Sequence, residues 1–100
     1  MAQATLDSLL EQLRAAQPRL REEYGVGAFW IFGSYVHGEQ GATSDLDVLV
    51  EFERPGMTLF KFIDLEQALT ECVGVKVDLI QRSALHSRMR AAILDEAIAV

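Results

Sequence analysis

Leu6, Leu9, Leu10 and Leu13 fall at i, i+3, i+4 and i+7, so residues 5–16 read as an amphipathic helix. Pro18 is expected to interrupt it and to start a second short helical piece, with Leu20 and Tyr24 on one face and Gly25 as its stop. Val26 to Phe32 is aromatic and β-branched and predicts a buried strand, ended by Gly33-Ser34. Ser34 to His37 has the length of one helical turn, closed by Gly38, and residues 39–44 read as a loop. From Leu46 to Phe52 the chain alternates. Leu46, Val48, Val50 and Phe52 share one face, and Asp45, Asp47, Leu49 and Glu51 the other, which is the period of a strand. After a turn at Arg54-Pro55-Gly56, the positions Phe62, Leu65, Leu69, Cys72 and Val73 mark a helix capped by Gly74. Val75, Val77 and Leu79 alternate with Lys76, Asp78 and Ile80 in a third strand, and Leu85, Met89, Ala92 and Ile93 mark a last helix running nearly to Val100.

Three strands with helices between them predict an α/β (α+β) fold, a small mixed three-stranded sheet flanked by helices. About a dozen residues join the first two strands, the lower limit for a crossover helix, so the sheet is not expected to be all parallel. A chain of 100 residues predicts one domain spanning residues 1–100. Half of it is apolar and 24% is charged, which excludes disordered and collagen-like classes. No apolar run approaches the ~20 residues of a membrane span. Met1-Ala2-Gln3-Ala4 opens no signal peptide, and one cysteine forms no internal disulfide, so a reducing, cytoplasmic setting is expected.

Charge changes the picture. Nine basic residues against fifteen acidic ones give −6, the wrong sign for a protein that binds duplexes by neutralising phosphates. Residues 33–53 hold Glu39, Asp45, Asp47, Glu51 and Glu53 without a lysine or arginine. Such a stretch is a solvated surface or a cation site.

Asp45 and Asp47 are two apart on a strand and so point the same way, roughly 6.6 Å apart at Cα. If the apolar faces of both strands bury against one layer, Asp78 lands on the same face. Three carboxylates there repel one another, and Mg²⁺, which takes a few carboxylates and fills its octahedron with water and substrate phosphates, would remove the penalty. Gly33-Ser34, ending a strand and opening a helical turn, offers backbone N–H groups and a hydroxyl to an anion. A plain turn with Ser34 as N-cap is the structural alternative. Gly33 and Gly38 have P-loop spacing, but Glu39-Gln40 stands where Lys-Ser/Thr is needed. A phosphate-gripping turn, an Asp-x-Asp and a third Asp together suit two-metal phosphoryl or nucleotidyl transfer.

Gly33-Ser34, ten residues, then Asp45-Leu46-Asp47 resembles the signature of the DNA polymerase beta-like nucleotidyltransferase superfamily. Residues 32–39, 44–52 and 77–80 resemble its minimal nucleotidyltransferases, the MNT proteins, over nearly the whole chain. The resemblance implies the nucleotidyltransferase fold, with Gly33 and Ser34 gripping nucleotide phosphates. It implies that Asp45 and Asp47 bind Mg²⁺, two ions in all, and that Asp78 is the third ligand and helps deprotonate the acceptor. It further implies transfer of AMP from ATP to a tyrosine of a HEPN ribonuclease toxin, with this chain as antitoxin and no direct contact with nucleic acid or membrane. Whether the chain forms a homodimer or a hetero-oligomer with that partner is left open. Many relatives place arginines where this chain has Tyr35, Val36 and His37, so a triphosphate lacks a cation there unless His37 is protonated or a partner supplies one. A non-catalytic module that occludes its partner, and a stand-alone transferase acting on a small molecule, are the alternatives.

Other residues have blander readings. His37 is placed near the phosphate turn but is expected to be exposed, and His86 is expected at the surface. Cys72 and Trp30 are assigned to the core, and Tyr35 could reach an adenine. The apolar faces of the first and last helices are chiefly core, with part of one available to a partner.

Overall fold

The computed structural model describes residues 5–41 and 44–100. The N-terminal reading and part of the loop at residues 39–44 therefore fall outside the described residues. The elements are α1 (Leu6–Tyr24), β1 (Val26–Phe32), α2 (Ser34–His37), β2 (Leu46–Phe52), α3 (Leu59–Val73), β3 (Val77–Gln81), a 3₁₀ turn (Arg82–Ala84), α4 (Ser87–Glu96) and β4 (Ile98–Ala99).

α1 is one helix, not two. Thr5 caps it by accepting from the Ser8 N–H at 3.1 Å, while Ser8 Oγ accepts from the Thr5 N–H at 3.1 Å. Pro18 sits inside the helix. It removes one ladder bond, a cost of ~3 kcal/mol in a helix interior. Leu13 and Leu20, both fully buried, hold the segments on either side against the same core, and burying each stabilises by ~1.5–3 kcal/mol. Packing overrides the break.

The sheet has four strands in the order β3-β2-β1-β4, where the alternation predicted three. β1 and β2 are antiparallel, β2 and β3 parallel, and β1 and β4 antiparallel. The mixed sheet expected from the short first connection is present: Ser34–His37 makes a single turn and the chain returns as a hairpin. The last helix stops at Glu96. Ile98 and Ala99 then pair with Ile31 and Trp30, and the Val100 N–H donates to the Phe29 carbonyl at 3.0 Å. Two paired residues leave no period to read, whereas the open edge of β1 offers unpaired backbone groups for them to satisfy.

α1 and α3 pack together on one face of the sheet. Leu9, Leu13 and Leu20 meet Leu65, Leu69 and Val73 above Phe29, Ile31, Leu46, Val48, Val50, Val77 and Leu79. α4 lies against β1 and contributes no fully buried side chain. Among the described residues no helix is long and apolar enough to cross a membrane.

Candidate active site

The face of the sheet turned away from α1 and α3 carries the polar chemistry. The register sets Asp47 on β2 opposite Phe32 on β1 and directly opposite Asp78 on β3. Paired strands lie roughly 4.8 Å apart, so these two carboxylates are close neighbours. Asp45 precedes β2 by one residue, and Lys76 Nζ stands 4.0 Å from its Oδ2. The alternation thus predicts correctly which side Asp78 takes.

Asp47 is half-buried, and its carboxyl is held above the ordinary aspartate value, first by loss of solvent, then by the charge of Asp78, then by that of Asp45. The site is electrostatically short of a cation. Among the described residues no three His, Cys, Asp or Glu side chains are gathered into a finished metal cage. The donor chemistry still fits magnesium: hard carboxylate oxygens, mutually repelling, with Asp47 between the other two.

Gly33 closes the site from the β1 side. Its backbone, at φ 79° and ψ −149°, lies near a region that essentially only glycine occupies. A Cβ there would collide with Asp47 Oδ2. Gly33 is the N-cap of α2 and no side chain caps the turn, so Ser34 is the first helical residue and not the cap expected for a plain turn. The Gly33 carbonyl accepts from the N–H groups of Val36 at 3.1 Å and His37 at 3.4 Å. The N–H groups of Ser34 and Tyr35, at the start of the turn, have no intrahelical acceptor by position.

Several side readings change. Tyr35 is buried in the core. Trp30 belongs to the polar face, paired with Leu49, and the Arg82 guanidinium lies 5.3 Å from its ring centroid. Arg82 also binds Glu51 Oε2 at 2.7 Å, so this end of the face is closed by a charge pair. His37 is exposed, as expected, but its Nε2 lies 3.0 Å from Glu96 Oε2 at the end of α4. Cys72 is half-buried, with Sγ 3.6 Å from the Gln12 carbonyl, and His86 is exposed. Exposed apolar side chains gather at the start of α3, where Leu59 is 71% and Phe60 84% exposed. The first and last helices were the expected place for them, although Met89 on α4 is exposed too. Glu96 and Arg82 were missed because their partners lie 59 and 31 residues away, and no local pattern announces such contacts.

A turn on β1, an Asp-x-Asp entering β2 and an aspartate on the parallel neighbour form one constellation. Residues 13–100 match the family model described as the nucleotidyltransferase domain. The chain belongs to that family. Among curated relatives, the nucleotidyltransferase is 42% identical to the protein adenylyltransferase MntA of Thermococcus cleftensis (strain DSM 27260 / KACC 17922 / CL1), over 100% of both chains. A solved structure described as a minimal nucleotidyltransferase superposes with a TM-score of 0.82 at 35% identity, covering 100% of each chain. A complex of a tri-AMPylated Shewanella oneidensis HEPN toxin with MNT antitoxin contains a chain matching at TM-score 0.65 and 16% identity, over 91% of this nucleotidyltransferase and 70% of that chain. At that identity the likeness is one of fold.

Proposed function

We propose that this nucleotidyltransferase transfers AMP from ATP to a tyrosine hydroxyl of a HEPN toxin and so acts as its antitoxin. The observation that carries this reading is the direct register of Asp47 with Asp78 beside the Gly33 turn. The full-length likeness to a protein adenylyltransferase, and the shared fold of an MNT antitoxin bound to an AMPylated toxin, support the substrate and partner. A single domain in a cytoplasmic setting belongs to the same reading.

Asp45, Asp47 and Asp78 would hold magnesium, two ions in all, and when bound these ions offset the charge of the triphosphate and lower the pKa of the attacking hydroxyl. Gly33 leaves room for a phosphate at the backbone, and Ser34 supplies an N–H and a hydroxyl to its oxygens. Asp47 and Asp45 orient the donor. Asp78, exposed at the rim, accepts the proton of the tyrosine hydroxyl. The tyrosine oxygen bonds to the α-phosphorus, the bond to the bridging oxygen breaks, and pyrophosphate leaves.

The test pairs the purified chain with its cognate toxin and ATP labelled at the α-phosphate. Wild type labels the toxin. The double variant Asp45→Asn with Asp47→Asn, which keeps side-chain shape and removes charge, loses the label by at least about 100-fold while its circular dichroism is unchanged. Labelling at the wild-type rate would overturn the metal reading. One feature favours a second reading, neutralisation by occlusion: residues 33–38 contain no arginine, and the one basic side chain of the turn, His37, is engaged with Glu96. In that case the double variant would still protect cells from the toxin.

A further inference from the structure

β3 is an edge strand, and its free side is not bare. In a parallel ladder alternate N–H groups of β3 turn away from β2, normally towards solvent or another strand. Here the Val77 N–H donates to Thr70 Oγ1 at 3.0 Å, and the Leu79 N–H donates to Glu66 Oε2 at 3.0 Å. Both acceptors come from α3, the crossover helix that delivers the chain to β3. The spacings match. Glu66 and Thr70 are one turn apart, a rise of roughly 6 Å. Val77 and Leu79 are two strand residues apart, roughly 6.6 Å.

Asp78 is the residue between the two bonded N–H groups. Its side chain shares a face with that of Asp47, directly opposite on the neighbouring strand, so the two like charges repel. A strand paired on one side only yields to such repulsion unless its outer side is held. We propose that Glu66 and Thr70 are positioning residues: from α3 they pin β3 on either side of Asp78 and keep its carboxylate in register with Asp47. Neither touches substrate. Glu66 carries the larger share, since a carboxylate is the stronger acceptor. The proposal rests on the role given above to Asp78.

The variants are Glu66→Ala, Glu66→Gln and Thr70→Val, assayed with cognate toxin and ATP. Glu66→Ala is expected to lower kcat about tenfold and leave KM for ATP within about twofold, because the donor is held on the β1–β2 hairpin. Glu66→Gln keeps an acceptor oxygen and returns kcat to within about threefold of wild type. Thr70→Val, which removes the hydroxyl and keeps the shape, lowers kcat by about threefold. In an Asp78→Asn background, Glu66→Ala costs nothing further, as expected if it acts through Asp78. Independently of activity, amide exchange of Leu79 in the metal-free protein quickens about tenfold in Glu66→Ala and stays slow in Glu66→Gln. A Leu79 amide equally protected in both variants would overturn the proposal, as would a Glu66→Ala loss that adds in full to that of Asp78→Asn. If wild type transfers no AMP while the Leu79 amide responds as stated, the functional reading fails and the pinning of β3 stands.

Discussion

Gly33 and Asp47 are the residues on which the site turns, and each carries a prediction. Gly33 holds a positive φ, and its missing Cβ is the space occupied by Asp47 Oδ2. Gly33→Ala must strain the backbone and displace the carboxylate together. It is expected to destabilise by about 2 kcal/mol, lowering Tm by roughly 8–16 °C, and to abolish transfer. Scanning calorimetry and the labelling assay check this. Asp47 holds its proton above the ordinary range because burial, Asp78 and Asp45 all disfavour its charge. The folded chain therefore keeps a proton that the unfolded chain has already lost, and stability falls as pH rises from the unfolded value to the raised one. At neutral pH the ionised Asp47 is a net cost. Asp47→Asn is expected to raise the Tm of the metal-free protein by about 2–4 °C, solvent screening holding the gain near half a kcal/mol. If Asp47 holds magnesium as proposed, the same variant is expected to lose magnesium affinity by isothermal titration, and wild-type affinity to rise with pH through the raised range, since proton and metal would compete for one carboxylate.

At the scale of elements, β4 is the case where sequence reading failed and the physics is plain. Ile98 and Ala99 close the edge of β1, and Ile98 packs against the core. Removing residues 97–100 is expected to destabilise by about 2–3 kcal/mol and to expose a hydrophobic strand edge that aggregates, read by urea unfolding and by light scattering. What was legible follows the same logic. Leu46 to Phe52 alternates over seven residues, so β2, its faces and the side taken by Asp47 were readable in advance. Gly33-Ser34 and Gly38 bracket α2 as local rules require. Pro18 misled because a local penalty is smaller than the burial of Leu13 and Leu20 around it. Glu66 and Thr70 were invisible because their work depends on a register between α3 and β3 that no local period encodes.

For the molecule as a whole, the −6 charge and the mixed sheet act together. Carboxylates crowd one face, so a cationic surface that approaches is drawn there. The apolar start of α3 and the charged face of the sheet give the outer surface two distinct characters. The topology also divides the site by distance along the chain. Gly33, Ser34, Asp45 and Asp47 all belong to one hairpin and meet through local chain closure. Asp78 reaches them only across a fifteen-residue helix and a parallel pairing, so its place in the site depends on long-range packing. On the roles proposed above, loss of β3 alone would remove the proton acceptor and leave the phosphate turn and the Asp-x-Asp pair behind.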